Sequence, residues 1–273
     1  MKPSDAAFAG SVPRLYETLL VPLLFEPYAA DLASRAASRV GPNADARVLE
    51  VAAGTGAVTR ELASRLPPHC SIVATDLNPP MLERAAARGT ARPVEWQQAD
   101  AMRLPFPDSS FDAVVCQFGV MFFPDRPRGF AEARRVLRPG GALLFNSWDR
   151  IEDNELAAVV QAALEPLFAD PPRFMERTPH GYHDLERIAR DVREAGLPDP
   201  RIETVTLRSR APSPRDAAVA FCQGTPLRDE IAARDAGKLD AATAAAEEAL
   251  ARRFGRGPID AKMQAFVVEV ERG

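Results

Sequence analysis

At 273 residues the chain is long enough to bury a large core within one domain and still carry a cap. Hydrophobic residues make up 46%, which excludes a disordered chain, and a formal net charge of -4 argues against nucleic acid as the main partner. No run of about 18 apolar residues is present, so no membrane span is expected, and three scattered cysteines, Cys70, Cys116 and Cys222, give neither a disulfide framework nor a metal cluster.

The opening MKPSDAAFAG lacks a charged-then-apolar signal pattern, which leads us to expect a cytoplasmic protein. Residues 11–40 read as helix: Leu15, Leu19, Leu20, Leu23, Leu24, Tyr28, Leu32 and Ala36 recur at helical spacing, with Pro22 and Pro27 as interruptions and Gly41-Pro42-Asn43 as the end. Strand and helix patterns then alternate: strand 47–51, helix 57–66, strand 71–75, helix 80–88 and strand 94–98. Strand 111–116, helix 127–137 and strand 141–148 follow. Helices at 153–169 and 184–195, a strand at 201–208, an alanine-rich helical insertion at 214–256 and a last strand at 264–271 complete the chain. Alternation of this kind means crossover connections and a parallel sheet covered on both faces.

The run VLEVAAGTG at 48–56 is the most informative segment, answered twenty positions later by Ile72-Val73-Ala74-Thr75-Asp76. An apolar strand that ends in a glycine turn, enters a helix and is followed at this distance by a carboxylate is the pattern of a nucleotide-type site. Gly54 and Gly56 let the backbone pass close under a ligand. Asp76 is placed to accept hydrogen bonds from two ribose hydroxyls. A dinucleotide site wants a third glycine where Thr59 stands, and Glu50 inside the strand repels a phosphate but suits a cation. These two residues disfavour NAD-dependent oxidoreduction.

With Glu50-Val51-Ala52-Ala53-Gly54-Thr55-Gly56 the chain resembles the class I S-adenosylmethionine-dependent methyltransferases, whose first motif reads E-x-G-x-G-x-G. Ala52 replaces its first glycine, a departure expected to shift the cofactor's methionine end without abolishing binding. The resemblance continues through residues 74–82, 97–125 and 135–148, about the middle half of the chain, and is strongest to the branch of quinone-ring C-methylases and small-molecule methyltransferases. It implies an α/β, Rossmann-like seven-stranded mostly parallel sheet with an antiparallel last strand and helical caps. The domain organisation expected is an N-terminal helical cap at 1–42, a cofactor-binding core at 43–150 and a remainder at 151–273 that completes the sheet and carries a substrate cap at 214–256.

The resemblance also implies roles. Glu50, Ala52, Gly54, Gly56 and Asp76 would hold S-adenosyl-L-methionine; Asp100, with the backbone of Ala101 and Met102, would face the adenine, sandwiched by Leu77 and Met102. As an alternative, Asp100 is a turn aspartate that binds its own backbone. The turn after the fourth strand stands beside the reactive methyl, which makes Gln117 and Phe118 cofactor contacts and Met121 a substrate contact, while Cys116 reads as a buried small residue. Tyr16 and Tyr28 in the N-terminal helices are candidate substrate residues. So are Phe221, Gln223 and Thr225, in a segment read as a lid-like loop. The candidate bases are His180 and His183, together with Tyr16. No metal is implied.

Methyl transfer to a small, largely apolar acceptor follows, oxygen ahead of carbon or nitrogen, by a monomer or homodimer that binds no nucleic acid. The alternative is a non-catalytic S-adenosylmethionine-binding regulatory or assembly protein.

Overall fold

The computed structural model describes residues 12–42 and 45–273. The opening decapeptide, the expected helix start at residue 11 and Asn43 lie outside them. From Val12 the backbone stays helical to Val40, in three stretches: α1 (Val12–Leu15), a π-helix (Tyr16–Phe25) and α2 (Glu26–Val40). The interruptions expected at Pro22 and Pro27 are therefore absent. Pro22 is absorbed by the wider π turns, in which Glu26 N–H reaches back five residues to the Val21 carbonyl, and Pro27 sits at the second position of α2.

The alternating region follows as β1 (Arg47–Val51), α3 (Ala57–Arg65), β2 (Ser71–Asp76), α4 (Pro79–Arg88), β3 (Glu95–Gln98), β4 (Phe111–Gln117), α5 (Arg126–Val136) and β5 (Leu137–Trp148). The remainder adds α6 (Glu155–Leu164), α7 (Phe174–Arg177), α8 (Leu185–Glu194), β6 (Arg201–Ala211), α9 (Pro214–Gln223), α10 (Leu227–Arg234), α11 (Leu239–Phe254) and β7 (Ile259–Glu271). The strands form one seven-stranded sheet in the order β3-β2-β1-β4-β5-β7-β6. β1 runs parallel to both neighbours, with Val48 opposite Ile72 and Ala113, and β4 runs parallel to β5. β7 runs antiparallel to β5: Gly140 N–H donates to the Arg272 carbonyl, and Asp149 N–H to that of Gln264.

Two compact units are present. One comprises Tyr28–Ser147, Tyr182–Val205 and Ala265–Gly273. In it, Leu32, Ala33 and Ala36 of α2 and Val58 and Leu62 of α3 pack on Val48, Ile72, Ala113, Val115, Ala142, Leu144 and Val267 of the sheet. Each buried valine, leucine or isoleucine side chain among them contributes about 1.5 to 3 kcal/mol, and the small alanines allow helix and sheet to approach closely. The other unit comprises the described residues up to Pro27, Trp148–Gly181 and Thr206–Gln264. Its α9 packs against α11 and the π-helix, and Ala217, Ala218 and Ala220 of α9 are fully buried.

Candidate functional site

In open parallel sheets the ligand crevice lies beyond the carboxyl ends of the strands, where the strand order reverses. Here that point falls between β1 and β4, with β2 flanking. Three backbone conformations build its floor: Ala52, Gly54 and Gly56 have φ of 55°, 57° and 82°. Glycine at 56 is doubly required, since a Cβ would also meet the Trp96 ring at 3.0 Å and Ala85 at 3.2 Å. Ala52 takes the same left-handed conformation with a side chain, at a cost of about 1 to 2 kcal/mol.

Asp76, the last residue of β2, is buried and holds this turn. Its Oδ2 accepts from Gly54 N–H at 2.8 Å and its Oδ1 from Asn78 N–H at 2.8 Å, which ties the glycine turn to the start of α4. Burial raises its pKa, and the backbone hydrogen bonds oppose the rise. Oδ1 also accepts from the Asn78 side-chain amide at 3.3 Å.

One strand over, Glu50 is 1% exposed, and its Oε2 accepts from the Thr59 hydroxyl at 2.5 Å. Burial pushes its pKa up to about 8, against the Thr59 hydrogen bond and the charge of Arg60, with Asp76 reinforcing the rise. Asp100 is exposed after β3 and accepts from Met102 N–H at 2.8 Å through Oδ1, so it does bind its own turn, with Oδ2 left over. Met102 is buried, and Leu77 is 51% exposed, one of the few large apolar side chains open to solvent.

After β4, Gln117 is half-buried and Phe118, at φ 50°, is buried with its ring edge-on to Tyr28, centroids 5.3 Å apart. Met121 is fully buried in a short 3-10 turn, Val120–Phe122. Cys116 is buried and its thiol is pushed up to about 12, which removes it as a nucleophile. Tyr28 lies fully buried and donates its hydroxyl to the Val205 carbonyl at 2.9 Å, so a role as a substrate-facing hydroxyl is replaced by one in the core.

Glu50, Ala52, Gly54, Gly56, Asp76, Leu77, Asp100, Ala101, Met102, Gln117, Phe118, Met121, Tyr28 and His183 all belong to the unit that holds this crevice. Tyr16, His180, Phe221, Gln223 and Thr225 belong to the other. There, Tyr16 is half-buried and stacks on Phe25 at 5.1 Å. His180 is buried, with Nδ1 2.8 Å from the Asp149 carbonyl, and His183 is exposed. The loop expected around Phe221 is absent: Phe221, Cys222 and Gln223 are the last turn of α9, and only three residues separate it from α10. Gly224 makes the break, because a Cβ would stand 2.6 Å from the Ala220 carbonyl. Thr225 caps the turn through the Phe221 carbonyl, and Gln223 donates to Thr243.

Two residues escaped the sequence reading. Thr59 was seen only as a missing glycine and not as the partner of Glu50. Asn146 is fully buried opposite Gln117 near the carboxyl end of β5; its Oδ1 has no partner and its Nδ2 reaches the Phe266 carbonyl only at 3.4 Å. A polar residue inside the apolar run ALLFNSW was the available signal.

Comparison with known proteins places this geometry. A family model described as a methyltransferase domain matches residues 49–145. The demethylmenaquinone methyltransferase of Deinococcus radiodurans is 46% identical over 101 residues, 36% of this chain and 42% of that protein. The ubiquinone/menaquinone biosynthesis C-methyltransferase UbiE of Ectopseudomonas mendocina is 39% identical over 165 residues, 55% of this chain and 64% of that one. The chain thus spans less than two thirds of these relatives. Among solved structures, the YcgJ protein of Bacillus subtilis superposes with a TM-score of 0.56 at 19% identity, covering 90% of this chain and 98% of that one.

The fold is that of the class I S-adenosylmethionine-dependent methyltransferases, and residues 49–145 match the methyltransferase-domain model, a family whose cofactor is S-adenosyl-L-methionine. Within that class the chain resembles the quinone-ring C-methylases. Among the described residues, no helix is long and apolar enough to cross a membrane.

Proposed function

We propose that this protein transfers a methyl group from S-adenosylmethionine to a small, largely apolar acceptor, with a ring carbon of a quinol or phenol ahead of oxygen. The order reverses the expectation from sequence, and what reverses it is the C-methyltransferase printed in the name of the relative from Ectopseudomonas mendocina, with a quinone acceptor in the names of both. The carrying observation is the pair of buried carboxyl groups, Glu50 and Asp76, at the ends of adjacent strands over a turn with three left-handed residues. A ligand with a ribose diol and a cationic amino-acid end fits that pair of acceptors, and a phosphate would not.

In this reading Asp76 accepts from the ribose hydroxyls, and Glu50, once ionised, balances the ammonium charge. The bound sulfonium supplies an already activated methyl, so in-line displacement asks the chain chiefly for alignment and exclusion of water. A ring carbon activated by a neighbouring hydroxyl gives up one proton as it gains the methyl. Asp100, Ala101, Met102 and Leu77 would hold the adenine, and Gln117, Phe118 and Met121 would lie nearest the methyl.

Calorimetry with S-adenosylmethionine and S-adenosylhomocysteine, followed by transfer of a carbon-13 methyl to a panel of naphthoquinols and phenols, tests the reading. The expected product carries its labelled methyl on carbon. A label on oxygen would restore the original order, and no binding of either cofactor form would defeat the proposal.

A further inference from the structure

Two residues with side chains hold left-handed backbone at the crevice: Ala52, just after β1, and Phe118, just after β4, with φ of 55° and 50°. Their turns are in contact. A Cβ on Gly119 would stand 2.5 Å from the Ala52 Cβ and 2.7 Å from Cys116 Sγ, so the Ala52 methyl already fills the place where residue 119 would carry a side chain. Gly119 itself has an ordinary helical φ of -98°, so glycine there answers to space and not to backbone conformation. On the other side, the left-handed turn at Phe118 delivers its ring edge-on to Tyr28, which α2 carries and which the Val205 carbonyl holds through the hydroxyl. The contacts form one chain, from β6 through Tyr28 and Phe118 to Gly119 and Ala52, and it ends at the wall of the crevice.

Strain of this kind persists only where the surroundings over-determine it, and it concentrates at sites that need a preset shape. We propose that Ala52 is a positioning residue for the cofactor. By seating its methyl on Gly119 it locks the turn after β4 against the turn after β1, and so fixes the crevice width before the ligand arrives. This rests on the reading that S-adenosylmethionine occupies the crevice. Glycine at 52 removes the methyl, lets both turns relax and leaves the ligand to reorder them on binding, which weakens affinity.

The test is Ala52→Gly, read by melting temperature and by calorimetry with S-adenosylhomocysteine. Glycine accepts the left-handed conformation without penalty, so the melting temperature is expected to hold or rise while Kd weakens fivefold or more. In turnover, KM for S-adenosylmethionine rises in the same proportion and KM for a naphthoquinol acceptor does not move. An unchanged Kd overturns the proposal, and so does a weaker Kd accompanied by a lower melting temperature, which would mark Ala52 as a packing residue only. A second arm places Gly119→Ala in both backgrounds. It is expected to weaken binding more beside Ala52 than beside glycine, and equal effects overturn the lock. If wild-type protein binds no cofactor, the functional reading fails first, and a wild type that binds while Ala52→Gly is unaltered defeats the lock alone.

Discussion

The hydroxyl of Thr59 donates to Glu50 Oε2 at 2.5 Å, with neither residue open to solvent. A buried carboxyl group with one hydroxyl partner is poorly solvated, and burial holds its pKa near 8, above the ordinary 4.5. The folded protein therefore binds a proton that the unfolded chain releases at neutral pH. Stability from this group is fully present below pH 4.5 and is lost as pH rises toward 8. Glu50→Gln is expected to flatten the fall in urea-melt stability between those limits. Cofactor binding carries the opposite sign: the ammonium of S-adenosylhomocysteine favours ionised Glu50, so affinity rises as pH climbs to 8 and binding releases a proton. Calorimetry in buffers of differing ionisation enthalpy reads that proton directly, and Glu50→Gln abolishes it.

Asp76 does two things at once, because the oxygen that accepts from Gly54 N–H also shapes the turn beneath the ligand. Asp76→Asn keeps the size but turns one acceptor into a donor facing the N–H of Gly54 or Asn78. Calorimetry is expected to show at least a tenfold loss of S-adenosylhomocysteine affinity, about 1.4 kcal/mol. Urea melts should show a further loss of about 1 to 3 kcal/mol from the mispaired buried groups. Affinity lost with stability intact would mean that Asp76 serves the ligand alone.

Beneath the turn after β4 lies a buried polar stack. Arg126 donates to the Met121 carbonyl and lies 4.2 Å over the ring of Tyr182, whose hydroxyl donates to Asp191 Oδ2 at 2.9 Å. Burial lowers the Arg126 pKa and raises that of Tyr182. Tyr182→Phe keeps the ring under the guanidinium and takes the hydroxyl from buried Asp191, whose remaining cation, Arg187, stands 3.9 Å away. The expected cost is about 1 to 3 kcal/mol in a urea melt, with cofactor affinity unchanged.

The alternation from β1 to β5 was legible because parallel strands covered on both faces read as unbroken apolar runs, such as Ile72 to Ala74 and Ala113 to Cys116. The glycine turn was legible for the same local reason: φ values near 55° to 82° leave few residue types. What depends on distant partners was not. Pro22 reads as a helix break until π turns absorb it, and the strand expected from 141 starts at Leu137, because Arg138-Pro139-Gly140 forms a bulge inside β5 that shifts the register between Phe111 and Ala113. The acceptor side was least legible. Tyr28 reads as an amphipathic aromatic, and only the fold supplies the Val205 carbonyl that consumes its hydroxyl. Gly224 and Pro226 punctuate a helix pair and a loop alike, so the lid reading of Phe221 to Leu227 had no local contradiction.

Asn146 offers the sharpest separation of function from stability. Strand alternation places it on the same sheet face as Ala142 and Leu144, one step nearer the carboxyl end, beside Gln117. A buried carboxamide oxygen without a partner costs about 1 to 3 kcal/mol, and such a cost is retained where a site needs an acceptor. Asn146→Leu removes the unpaired oxygen and keeps the same branched arrangement of heavy atoms, so urea melts are expected to show equal or greater stability. If Asn146 receives the ring hydroxyl of a quinol acceptor, kcat/KM for a naphthoquinol falls tenfold or more while S-adenosylhomocysteine affinity holds. A variant that loses stability and keeps its turnover would instead assign Asn146 to the contact with Phe266.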